Sequence, residues 1–155
     1  MPREIERKFL VRGDAWRSAA TSSARFSQGY LLNTVGKSIR VRLAGAQAWL
    51  TIKAAAEGIA RHEFEYPIPP EHARELLALC EGPLIEKTRH LVTIEGFVWE
   101  VDEFGGENAG LIVAEIELPD EDADFARPEW LGEEVTHDPR YLNAALVKNP
   151  FSRWA

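Results

Sequence analysis

A chain of 155 residues with 45% hydrophobic and 28% charged side chains is long enough to bury a substantial core without disulfides or a structural metal. Its formal net charge of −7 argues against nucleic acid or an anionic membrane as a partner held by overall field, while leaving room for a local basic pocket. The single cysteine, Cys80, excludes an intramolecular disulfide, and no apolar run is long enough to span a bilayer. The expectation is one domain over residues 1–155, with a core at 2–149 and a tail at 150–155, working in the reducing cytoplasm.

The opening stretch, Glu4-Ile5-Glu6-Arg7-Lys8-Phe9-Leu10-Val11, reads as a strand. Side chains alternate between the faces of a strand, so Glu4, Glu6 and Lys8 share one row while Ile5, Phe9 and Val11 fall mostly on the other. Two neighbouring carboxylates repel unless a cation lies between them, which makes the pair a candidate divalent-metal clamp, with Lys8 free to meet an anion on that metal. Taken alone, the stretch reads equally as a solvated strand face. Gly13-Asp14 breaks the pattern, and Ala15 to Ala24 reads as a short helix or an irregular link. Phe26 to Leu32, containing Gln28-Gly29-Tyr30, is a strand leading to a turn at Asn33 to Gly36.

Lys37 to Leu43 alternates cleanly, with Ile39, Val41 and Leu43 on one face and Arg40 and Arg42 on the other. After Ala44-Gly45-Ala46, Trp49 to Lys53 returns with Thr51 and Lys53 opposite Leu50 and Ile52. A small-residue segment, Ala54 to Ala60, leads into Arg61 to Tyr66, where Arg61, Glu63 and Glu65 form a row. The best helical pattern is Glu71 to Glu81: Ala73, Leu76, Leu77 and Cys80 lie at helical spacing, and Gly82-Pro83 stops it. Strands follow at Leu84 to Ile94, with Lys87 and Arg89 in one row, at Phe97 to Phe104, with Glu100 and Asp102 in one row, and at Leu111 to Leu118, with Glu115 and Glu117 in one row. The chain then gives an acidic helix starting at Pro119, a short strand at Glu133 to Thr136, a helix over Pro139 to Lys148, and a tail that frays or docks through Phe151 and Trp154.

Each strand therefore carries one apolar face and one charged face, and the signs segregate by strand. Solvent-facing charge on an open meander is one reading of this pattern. The other is a sheet closed into a barrel with its charged faces inward and its apolar outside covered by helices, which inverts the usual small barrel. Such a lumen calls for a ligand, because unpaired buried charges cost several kcal/mol each. A polyanion held by the basic rows and joined through Mg²⁺ or Mn²⁺ to the carboxylate rows satisfies both sets.

The set Glu4-Ile5-Glu6-Arg7-Lys8, Ile39-Arg40-Val41-Arg42, Thr51-Ile52-Lys53, Glu86-Lys87-Thr88-Arg89, Glu100-Val101-Asp102 and Glu115-Ile116-Glu117 resembles, in order, the motifs of the CYTH superfamily, the triphosphate tunnel metalloenzymes. The chain is most similar to short single-domain bacterial members, which share Gln28-Gly29-Tyr30 and the ending Gly132-Glu133-Glu134-Val135-Thr136. The resemblance implies an α+β, mainly β fold: a closed antiparallel barrel of about eight strands with helices outside. It also implies a metal-dependent triphosphatase. In that frame Glu4, Glu6, Glu115 and Glu117 resemble the metal-proximal set, with Glu63, Glu65 and Asp102 in or near the second shell. Arg40, Arg42, Lys53, Lys87 and Arg89 resemble the phosphate binders, with Arg61 beside them. Lys8 and Tyr30 resemble an assisting catalytic pair, although Tyr30 also reads as a packing tyrosine at a turn. His62, His72, His90 and His137 show no ligand spacing and read as structural or surface residues.

The expected reaction is hydrolysis of a small triphosphate, inorganic tripolyphosphate first, by a monomer or homodimer. Thiamine or nucleoside triphosphate hydrolysis, a class IV adenylyl cyclase and a non-catalytic polyphosphate- or nucleotide-binding module are the alternatives.

Overall fold

The computed structural model describes residues 3–58 and 60–154, and the side chains of all of these except Arg3 and Glu4. Its strands are β1 (Arg3–Val11), β2 (Ser22–Thr34), β3 (Lys37–Ala44), β4 (Gln47–Ala55), β5 (Ala60–Pro67), β6 (Ile85–Ile94), β7 (Phe97–Phe104), β8 (Ile112–Glu117) and β9 (Leu131–Glu134). Three short helices intervene: α1 (Ala15–Ala19), α2 (Pro70–Leu79) and α3 (Asn143–Lys148). The strands pair in the order β5-β4-β3-β2-β6-β7-β8-β1-β9, and β1 also pairs with β5. That contact closes β1 to β8 into an eight-stranded antiparallel barrel, as the family resemblance implies.

Closure is a property of β1. Residues Glu6 to Leu10 pair with β8, while Arg3 to Ile5 pair with β5 and Phe9 to Val11 with β9. One long strand thus joins the two ends of the sheet and holds the short β9 beyond the seam.

The hydrophobic core lies outside the barrel wall. Phe9, Trp99, Val101, Ala114 and Ile116 point outward and are covered by Trp16 of α1 and by Trp130 and Leu131. Trp99 meets Phe9 and Trp130 edge-on at ring-centroid distances of 5.6 and 5.8 Å, the geometry aromatic quadrupoles favour. Along β7 the outward Trp99 and Val101 alternate with Glu100 and Asp102, so the period of the sequence separates core from lumen.

A second cover is α2, whose Ala73 and Leu77 pack on Val41 and Ala48. This packing explains Gly29: a Cβ there would lie 2.7 Å from Leu84 Cδ2 and 2.9 Å from Cys80 Sγ. A larger residue would therefore push the end of α2 off the barrel.

Two segments depart from the sequence expectation, and the tail takes one of its two expected courses. The acidic stretch after Pro119 forms only a turn, because the Asp120 carboxylate accepts the Asp122 N–H at 2.9 Å and the Asp120 carbonyl accepts from Ala123. Such side-chain capture competes with helix. Ala123 and Phe125, two residues apart, then pack against the Trp99 cluster, a spacing that suits extended chain. The helix expected over Pro139 to Lys148 is broken at Leu142, which is extended (φ −67°, ψ 135°), leaving a 3-10 turn at Pro139–Tyr141 before α3. The tail docks: Tyr141 and Phe151 each meet Trp154 at 5.1 Å, and Asn108 Oδ1 accepts the Phe151 N–H at 2.8 Å. No helix among the described residues is long and apolar enough to cross a membrane.

Candidate active site

The inward faces enclose a cavity of about 900 Å³. Its basic wall carries Arg40 and Arg42 from β3, Lys53 from β4, Arg61 from β5, and Lys87 and Arg89 from β6. Its acidic wall carries Glu6 from β1 and Glu115 and Glu117 from β8, with Glu100 from β7 and Glu63 and Glu65 from β5 nearby. Lys8 and Tyr30 also face the cavity. The structure thus brings thirteen of the expected residues together: Glu6, Lys8, Tyr30, Arg40, Arg42, Lys53, Arg61, Glu63, Glu65, Lys87, Arg89, Glu115 and Glu117. The Glu4 side chain lies outside the described residues, although its backbone pairs with Arg61.

Asp102, expected in or near the second shell of the metal, is wholly buried and held by cations. Lys87 Nζ donates to its Oδ2 at 2.7 Å, and Arg89 donates through Nε to Oδ1 at 2.8 Å and through its terminal nitrogen to Oδ2 at 2.9 Å. Burial opposes its ionisation, but Lys87 and Arg89 outweigh it and hold the carboxyl below its usual range. Asp102 therefore anchors the basic row. Two cations drawing on one carboxylate leave the region short of negative charge. Burial, reinforced by Arg89 and Arg42 and only partly offset by Asp102, pulls the Lys87 ammonium down to about 7. Burial and then repulsion from Arg40 and Arg89 pull the Arg42 guanidinium down to about 9.

Hydrogen bonds fix the remaining cations. Gln28 Oε1 accepts from Arg42 Nε at 2.9 Å, and the Phe26 ring lies 4.6 Å from the Arg42 guanidinium and 5.1 Å from that of Arg89. Arg40 donates to Thr51 Oγ1 at 3.3 Å, and Thr51 in turn donates to Glu65 Oε1 at 3.0 Å. Arg40 Nε is buried with no hydrogen-bond partner among the described residues.

On the opposite wall the register places Lys8 across from Glu115 and Glu6 across from Glu117. Lys8 Nζ lies 3.2 Å from Glu115 Oε1 and 3.8 Å from Glu6 Oε1. Burial works against the Lys8 charge, but Glu115 and then Glu6 overcome it and raise its pKa. Burial likewise opposes Glu115, yet Lys8, Arg89 and Lys87 hold it well below the usual carboxylate range. Glu100 shows the reverse balance: burial raises it despite Arg89, whose nitrogen is 3.1 Å from Glu100 Oε2. No three carboxylate, histidine or cysteine side chains among the described residues converge tightly enough to hold a metal as they stand. Tyr30 unites both readings of it, since it lines the cavity and packs with Ile85, Phe104 and Leu146.

Sequence reasoning missed three polar residues that set this geometry: Gln28, Thr51 and Asn143. Gln28 and Thr51 lie on the inward rows with Phe26, Tyr30 and Lys53, so alternation placed them without revealing their partners. Asn143 had no local signal, because it reaches the cavity only through the break at Leu142. His137 borders a side chamber of about 200 Å³ shared with Glu6, Lys8 and Arg61. His90 lies outside the barrel, 3.2 Å from Glu103, as expected.

A closed barrel with a segregated, doubly charged lumen defines a tunnel-type phosphate-handling fold. The CYTH domain model matches residues 2–145, and the chain belongs to that family. The chain is 54% identical over 155 residues, 99% of each protein, to an inorganic triphosphatase of Acetivibrio thermocellus. It is 37% identical over 148 residues, 93% of this chain and 96% of the relative, to an inorganic triphosphatase of Nitrosomonas europaea. A crystal structure of an inorganic triphosphatase superposes with a TM-score of 0.69 at 35% identity, covering 95% of both chains.

Proposed function

We propose that this protein hydrolyses a phosphoanhydride bond of inorganic tripolyphosphate within the barrel, with Mg²⁺ or Mn²⁺ as cofactor. The observation that carries the reading is the lumen itself: one wall of arginine and lysine faces a wall of carboxylates. The similarity to inorganic triphosphatases over almost the whole chain supports the same substrate class.

In this reading Arg40, Arg42, Lys53, Lys87 and Arg89 hold the phosphates, and Arg61 extends the row. The arginines suit bidentate contact and the lysines act as point charges. The donors on the opposite wall are hard carboxylate oxygens, which fit Mg²⁺ or Mn²⁺; Glu6, Glu115 and Glu117 would hold the ion, with Glu4 beside them and Glu63 and Glu65 farther out. Bound there, a divalent ion supplies charge neutralisation at phosphate oxygens and polarises water. Lys8, kept charged by Glu115 and Glu6, stands where it can meet a phosphate oxygen, and the Tyr30 phenol faces the same space. The chain contributes positioning and electrostatic stabilisation, which account for most of the catalysis of phosphoryl transfer.

Phosphate release from tripolyphosphate, ATP and thiamine triphosphate, each with Mg²⁺, Mn²⁺ or EDTA, tests the proposal. The expected result is metal-dependent cleavage of tripolyphosphate well above the other two. Cyclic AMP from ATP would make the protein a cyclase, and triphosphate binding without phosphate release would make it a binding module; either overturns the reading.

A further inference from the structure

The basic wall depends on a residue from outside the barrel strands. Asn143 is the first residue of α3, and its Oδ1 accepts from Gln28 Nε2 at 3.2 Å and from Lys87 Nζ at 3.0 Å. Gln28 is fully buried, and its Oε1 accepts from Arg42 Nε. A guanidinium and an ammonium only donate, so the orientation of both amides is forced. Arg42 requires the Gln28 oxygen, which turns the Gln28 NH₂ toward Asn143, and Lys87 and that NH₂ together require the Asn143 oxygen. Arg42 and Lys87 repel each other, come from strands on opposite sides of β2, and are linked through this single acceptor.

We infer that Asn143 is a positioning residue for the triphosphate site, setting the orientation of Arg42 through Gln28 and that of Lys87 directly. The inference rests on the proposed triphosphatase reading. Asn143 lines the cavity with its Oδ1 committed to Gln28 and Lys87, and through them it fixes where two cations of the basic wall point. Replacing it with leucine keeps the shape but removes the acceptor, leaving the Gln28 amide with an unsatisfied buried donor and Lys87 with Asp102 alone.

The test compares kcat/KM for tripolyphosphate in the wild type, Asn143→Leu, Gln28→Leu and the double variant, alongside melting temperatures. Asn143→Leu is expected to lose about tenfold or more, the usual consequence of removing a hydrogen bond to a charged group. Because both residues act on Arg42, the double variant is expected to lose at least about threefold less than the product of the single losses. A purely structural role predicts losses that follow the melting temperatures and vanish in assays run well below them. An Asn143→Leu variant within about twofold of the wild type, or losses that multiply in the double variant, overturns the inference while leaving the triphosphatase reading in place. A wild type that releases no phosphate overturns both.

Discussion

The two walls of the lumen are made by the same strand alternation and reach opposite electrostatic states. On the β6–β7 wall, Lys87 and Arg89 converge on one buried carboxylate, Asp102, and cationic charge is in excess. On the β1–β8 wall, Lys8 lies beside Glu115 and Glu6, which keep it charged against burial, and Glu117 stands across from Glu6 in the register. The sign of a row does not determine its role; what lies across the register does. Asp102 stands opposite Arg89 and is consumed by it, whereas Glu6 stands opposite Glu117 and neither is neutralised by that partner.

The largest effects should come from removing the counter-charge of either wall. Lys8→Ala takes the ammonium from Glu115, and turnover of tripolyphosphate is expected to fall by about 100-fold or more, as it does when one preorganised charge-stabilising group is lost. Steady-state assays with near-UV circular dichroism to confirm the fold check this. Asp102→Asn leaves Lys87 and Arg89 buried without their shared anion, and a loss of roughly 3–5 kcal/mol in denaturant-derived stability is expected. Equal stability in that variant would mean the two walls do not differ as described.

A smaller effect follows from the excess positive charge beside Asp102. Lys87 titrates near 7 in the folded chain against 10.5 ordinarily, so between those values the unfolded chain binds more protons and stability from this group rises with pH. Tripolyphosphate restores the ammonium, so binding near pH 8.5 should take up a proton, detectable by calorimetry in buffers of different ionisation enthalpy. Lys87→Met should abolish the uptake.

The smallest effect lies outside the lumen. Arg7 donates to Glu134 at 2.8 and 2.6 Å, and this bond, set against partial desolvation and aided by Thr136, holds the Glu134 carboxyl at about 2. Its contribution is present above the ordinary carboxylate value of 4.5 and is lost as pH falls toward 2. Glu134→Gln should therefore melt slightly below the wild type at pH 7 and converge with it near pH 2.

The rows of the lumen were legible in the sequence because the period of a strand is two, so Arg40 and Arg42, or Glu115 and Glu117, share a face whatever surrounds them. Closure was legible only through the family resemblance carried by the ordered motifs, since alternation alone also fits an open meander with solvated charged faces. Partnership across strands was not, since alternation assigns a face and says nothing of register; the ion pairs of Asp102 with Lys87 and Arg89 were therefore not foreseen. The acidic segment after Pro119 had helical dipole chemistry without a helical apolar stripe, and docking of Ala123 and Phe125 on the Trp99 cluster prevailed. Asn143 depends on a backbone break whose effect is visible only once β2 and β6 lie beneath it.

The central claim is that the two walls divide the work, with the basic wall holding triphosphate and the carboxylate wall serving the metal. Calorimetric binding of tripolyphosphate in EDTA, measured for the wild type, Arg42→Ala and Glu6→Gln, tests this most directly. The account predicts that Arg42→Ala loses most metal-free affinity, whereas Glu6→Gln binds as tightly as the wild type or more so and yet fails to release phosphate with Mg²⁺. Equal loss of metal-free binding in both variants would contradict it.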